Sequence, residues 1–130
     1  MKRITVFIIE KDVALANLIR YHLYSHQARQ VQVFPAVAEC HYFMQKKSIP
    51  DFLIADMANP EINARGFLKT ILKSFPGVKV IFLSPFTDDS LVSQLMEEGA
   101  TDYIYKSVHP EDWIHELAEN MEFLIREKSR

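Results

Sequence analysis

Reactive side chains in this 130-residue chain recur at one kind of place, directly after a short apolar run. Glu10-Lys11-Asp12 follows the run 4–9, Asp56 follows 52–55, Ser84 follows 78–83 and Lys106 follows 103–105. A carboxylate is a competent nucleophile toward phosphorus and gives an acyl phosphate. Grouped carboxylates also suit a hard divalent cation, while a lysine and a hydroxyl neutralise and orient phosphoryl oxygens. Brought together, these residues would hold a phosphoryl group, a divalent cation, or both. They are far apart along the chain, so only the fold can assemble them.

The surrounding pattern predicts such a fold. Ile4-Thr5-Val6-Phe7-Ile8-Ile9 is almost wholly β-branched or aromatic with little alternation, as in a strand buried on both faces. Residues 12–25 carry Leu15, Leu18, Ile19 and Leu23 at helical spacing. A second strand is expected at 31–34. A helix follows at 36–45, with Val37, Cys40, Phe43 and Met44 on one side, and then a third strand at 52–55, entered through Pro50-Asp51. Helix 67–75 turns Phe67, Leu68, Ile71, Leu72 and Phe75 inward and ends at Pro76-Gly77. A fourth strand at 78–83 precedes a helix at 88–98, capped by Thr87 or Asp88 and terminated by Gly99. The fifth strand is 103–105. The last helix starts at Pro110, with Glu111 and Asp112 complementing its dipole. It carries Trp113, Ile114, Leu117, Met121, Leu124 and Ile125, then a basic end at Arg126, Lys128 and Arg130. Strict alternation of strands and helices predicts a parallel sheet covered on both faces. In such sheets ligands sit outside the carboxyl ends of the strands, where the reactive residues fall.

Composition narrows the function classes. Fifteen Lys+Arg against seventeen Asp+Glu leave a net charge of −2, which argues against a nucleic-acid-coating surface or a polybasic membrane anchor. The single cysteine, Cys40, rules out a disulfide framework, reads as a core thiol and fits a reducing cytoplasm. No apolar run approaches the roughly 20 residues a helix needs to cross a bilayer. Met1-Lys2-Arg3 before an apolar run suggests a signal peptide, but Glu10, Lys11 and Asp12 end that run too early. The length suits one domain over residues 1–130.

With these elements in order, the chain resembles the response-regulator receiver domain of two-component phosphorelay signalling, over essentially its whole length. The third-strand stretch Pro50-Asp51-Phe52-Leu53-Ile54-Ala55-Asp56, with Pro60 beyond it, matches the family's motif. So does Glu97-Glu98-Gly99-Ala100-Thr101-Asp102-Tyr103-Ile104-Tyr105-Lys106, the segment leading into its lysine. The resemblance implies a flavodoxin-like (βα)5 doubly wound fold and a cytoplasmic signalling phosphoprotein rather than an enzyme. It implies Asp56 as phosphoacceptor, Lys106 and Ser84 as its catalytic companions, and Ser84 and Tyr103 as switch residues. It also implies a histidine kinase or phosphotransfer protein as partner, a homodimer surface on the fourth helix, fifth strand and last helix, and Mg²⁺ as cofactor. The Mg²⁺ ligands would be Asp56 and the Ala58 carbonyl, with Glu10 or Asp12 acting through water.

The departures gather at that metal. Lys11 stands where the family has its second acid, and a protonated lysine has no lone pair for a cation. So few anionic donors should hold Mg²⁺ weakly. The Lys11 ammonium is expected to take part of the metal's place and pair with Asp56. Ser107 follows Lys106 where the family has proline, Pro85 follows Ser84 where it has a small residue, and the loop 59–66 reads as two residues longer than the family's, whose glycine would fall at Ala64. One alternative keeps the fold and drops the chemistry: a pseudo-receiver acting by protein contact alone. Another is a cofactor binder on the same fold, but Glu10-Lys11-Asp12-Val13 lacks a phosphate-cradling glycine loop. Ala58 likewise stands where a haloacid-dehalogenase-type phosphatase needs a second aspartate. His22 and His26 have metal-binding spacing without a third ligand, and Trp113 fits either core or interface. No output segment follows the last helix, so the chain reads as a stand-alone receiver or as the receiver of a longer regulator.

Overall fold

The structure, a computed structural model, describes residues 4–26 and 29–128. Its elements are β1 (Ile4–Ile9), α1 (Val13–His26), β2 (Arg29–Phe34), α2 (Val37–Lys46) and β3 (Phe52–Asp56), then α3 (Ala64–Ser74), β4 (Lys79–Ser84), α4 (Asp89–Glu97), β5 (Asp102–Tyr105) and α5 (Pro110–Lys128). The strands make one parallel sheet in the order β2-β1-β3-β4-β5, the doubly wound arrangement expected from the alternation.

The period of two along each strand divides the core into two layers. Phe7, Ile9, Leu53, Ala55, Val80 and Phe82 face one side, against Cys40 and Met44 of α2, Leu68 and Ile71 of α3 and Leu95 of α4. Val6, Ile8, Phe52, Ile54, Ile81 and Leu83 face the other, against Ile19 and Leu23 of α1 and Trp113, Ile114, Leu117 and Met121 of α5. Trp113 is therefore a core residue. Burial pushes the Cys40 thiol up to about 12, so it carries no thiolate chemistry while folded.

Most element ends fall within a residue or two of expectation. The exception is α3, which begins at Ala64 and not at 67. Asn63 supplies its N-cap by accepting the Gly66 N–H at 3.4 Å. Gly66 thus lies in the first helical turn, and the loop after β3 ends at Asn63 instead of running to 66. Asp88, not Thr87, caps α4 by accepting the Leu91 N–H at 3.1 Å. Gly99 closes that helix with φ of +111°.

No helix among the described residues is long and apolar enough to cross a membrane. His22 Nδ1 lies 3.1 Å from the Leu18 carbonyl oxygen, one turn back on α1. Met1-Lys2-Arg3, the side chains of His26 and Lys128, and Arg130 lie outside the described residues.

Candidate functional site

From β1 the chain passes outward to β2, then returns across β1 to β3. Connections on the two sides of that reversal diverge and leave a crevice at the carboxyl ends of β1 and β3. Register fills it. Ile9 pairs with Ala55, so Glu10 and Asp56 emerge side by side. Asp56 pairs with Leu83 and Ser84 with Tyr105, which brings Ser84 and Lys106 to the same edge. The Lys106 N–H extends the ladder by donating to the Ser84 carbonyl at 2.7 Å.

Asp56 is 4% exposed and doubly engaged. Its Oδ1 accepts the Ala58 N–H at 2.8 Å, and its Oδ2 receives the Lys106 ammonium in a close ion pair. Lys106 Nζ also lies 3.7 Å from Glu10 Oε1 and 5.7 Å from the centre of the Trp113 ring. The buried indole thus gives the ammonium a π-face on its core side. Glu10 Oε2 accepts the Asp12 N–H at 3.2 Å, while Oε1 is buried without a hydrogen bond. Burial, and then the neighbouring Asp56 carboxyl, raise the Glu10 carboxyl above its ordinary value, against the weaker pull of the Asp12 N–H and then of Lys106.

The remaining expected residues sit close by but are differently employed. Asp12 Oδ1 accepts the Leu15 N–H at 3.1 Å and caps α1. Lys11 does not pair with Asp56. Its ammonium lies 3.7 Å from Glu61 Oε1 in the loop after β3. Lys106 holds the inner position with its side chain 16% exposed and its ammonium over the Trp113 ring, and a second ammonium there would add desolvation and like-charge repulsion. Ser84 is fully buried. Its Oγ accepts the Phe86 N–H at 3.0 Å, a bond within its own loop. The Tyr103 hydroxyl donates to the Phe86 carbonyl at 2.9 Å and ties β5 to that same loop.

A divalent cation does not fit this arrangement. Both Asp56 oxygens have partners, Asp12 caps a helix, Glu10 is turned to the Asp12 N–H and to Lys106, and Lys106 already supplies positive charge. Among the described residues no three metal-ligating side chains gather.

Two participants escaped the sequence reading, Glu61 as partner of Lys11 and Trp113 as floor for Lys106. An acid just after Pro60, in the loop facing Lys11, was the available signal for the first. Nothing in the sequence distinguishes Trp113 from any other core aromatic.

Comparison with known proteins agrees with the architecture. The profile of the response regulator receiver domain matches residues 6–118. The chain is 28% identical over 118 residues to transcriptional regulatory protein CreB of Escherichia coli, covering 86% of this chain and 48% of CreB. It is 36% identical over 63 residues to transcriptional regulatory protein LnrK of Bacillus subtilis, covering 48% of this chain and 29% of LnrK. The chain thus spans half or less of the length of these curated relatives. Among solved structures, the receiver domain of Francisella response regulator 1452 superposes with a TM-score of 0.80 at 19% identity, over 97% of this chain and 99% of that one. The signal receiver domain of a LuxO repressor protein from Vibrio parahaemolyticus gives 0.78 at 18%, over 98% and 96%. A profile match of that extent, on a fold shared end to end with solved receiver domains, means that this chain belongs to the response regulator receiver domain family.

Proposed function

We propose that residues 1–130 act as one receiver unit that accepts a phosphoryl group on Asp56 and passes the change to a partner. The observation that carries this reading is the buried Asp56–Lys106 ion pair at the β1–β3 crevice. A carboxylate oxygen of Asp56 attacks phosphorus, the bond from phosphorus to the donor's leaving group breaks, and that group leaves with the bonding electrons. The Ala58 N–H and Lys106 are placed to bear the charge. Ser84 reaches the new group only by giving up its bond to Phe86. Because Tyr103 holds the same carbonyl-bearing residue, that release reaches β5.

The donor would be a histidine kinase or phosphotransfer protein. The surface of α4, β5 and α5 fits an output partner or a second copy, because Tyr105 and Val108 are exposed there. The relatives named above are transcriptional regulators, and an output of that kind would come from a partner or another segment. The near-neutral charge supports no direct nucleic-acid contact and no membrane surface.

Intact mass after incubation with a small-molecule phosphodonor, with and without Mg²⁺, tests the reading. One phosphoryl increment per chain is expected, absent in Asp56→Asn. No increment under either condition favours the second reading, a pseudo-receiver that works by contact alone. What supports that alternative is Lys11 in place of a metal-binding acid, with its ammonium on Glu61.

A further inference from the structure

Lys11 is the charge that the proposed chemistry leaves out. It directly follows Glu10, and its partner Glu61 lies in the loop that follows Asp56. Because β1 and β3 are neighbours, the Lys11–Glu61 pair bridges the two loops that flank Asp56. The two side chains are 54% and 44% exposed. An ion pair in that setting is weak, screened by salt and readily exchanged.

The unmodified Asp56 carries one negative charge and has Lys106 for it. A phosphoryl group on Asp56 brings close to two negative charges to the same mouth. Lys106 alone does not neutralise them, and the donors for a divalent cation are otherwise engaged. Glu61 offers Lys11 a single carboxylate charge, so a phosphoryl dianion at the end of the neighbouring strand is the stronger competitor for its ammonium.

We infer that Lys11 takes the cation's part in this chain. Glu61 holds the ammonium at the rim while Asp56 is unmodified, and Lys11 transfers to the phosphoryl oxygens once Asp56 carries the group, so the anion is bound without a divalent metal ion. This rests on Asp56 being the acceptor and names how that site manages its charge.

Beryllofluoride, which adds to a carboxylate oxygen as a phosphoryl mimic, gives the test. Its binding to the full chain is followed by fluorine NMR, in metal-free buffer and in Mg²⁺. Wild type is expected to bind in metal-free buffer. Lys11→Gln should weaken that binding about tenfold or more, as loss of a charged hydrogen bond does. Glu61→Gln, which frees the ammonium, should tighten it, and the gain should fade in high salt. Both positions are half-exposed, so these substitutions leave the fold standing. A requirement for Mg²⁺ in the wild type overturns the inference, as does metal-free binding indifferent to Lys11→Gln; either result leaves Asp56 as acceptor. Absence of binding with and without Mg²⁺ overturns the inference and the acceptor reading together.

Discussion

Two carboxylates emerge side by side at the crevice, and the fold treats them unequally. Asp56 has an N–H and an ammonium, whereas Glu10 keeps one buried oxygen without a hydrogen bond. Burial and the adjacent Asp56 raise the Glu10 carboxyl in the folded chain. A raised acid binds its proton more tightly folded than unfolded, so its contribution is favourable below the ordinary carboxylate range and is lost as pH rises through the folded value. Glu10→Gln keeps an acceptor for the Asp12 N–H and removes the ionisable group. Its stability relative to wild type should therefore grow as pH rises from the acid side, read as urea midpoints in acidic and neutral buffers. A gap that is constant with pH would show that Glu10 does not bear this burden. The residue types of the site were legible because each one ends an apolar run. Their partners were not, since Lys11 and Lys106 are chemically alike and only the fold sets one ammonium over Trp113 beside Asp56 and the other at the rim on Glu61.

At the scale of elements, the sequence marks strands and helices through periodicity but marks their ends only through individual caps. Phe67 is the first large apolar residue of α3 and draws the expected start to itself, whereas the helix begins at Ala64, where Asn63 offers an acceptor. Cap chemistry outweighs hydrophobic spacing at that end. Gly99 was legible as a terminator, and the structure gives it a second reason. At φ of +111°, an added Cβ would stand 2.7 Å from Leu72 Cδ1 of α3. The α4–β5 turn therefore brings its backbone against a neighbouring helix in a conformation that L side chains rarely adopt. Gly99→Ala should cost about 1–3 kcal/mol of stability, measured by urea unfolding. A smaller loss would mean that the turn relaxes and Leu72 moves aside. The turn also leads into β5, where Asn120 of α5 donates to Asp102 at 2.8 Å, so its geometry sets where Lys106 leaves the sheet.

Across the whole molecule, one sheet serves two cores, and each central strand contributes alternate residues to both. Neither layer can lose its strands without stripping the other, so the fold should unfold in a single transition. The sequence places one natural probe in each layer. Trp113, the only tryptophan, lies in the α1/α5 layer, and Cys40, the only cysteine, in the α2/α3/α4 layer. Cys40 is buried and its thiol is pushed up to about 12, so it stays unreactive until its layer opens. Trp113 emission reports both the opening of its own layer and the departure of the Lys106 ammonium from its face. Urea titrations followed by Trp113 fluorescence and by Cys40 labelling should therefore share one midpoint. If labelling of Cys40 runs ahead of the fluorescence change, the helices on that face come off while β1, β3 and α5 still stand. In that case the crevice would keep its Asp56–Lys106 pair on a half-covered sheet, and the site would owe its rigidity to the α1/α5 layer alone.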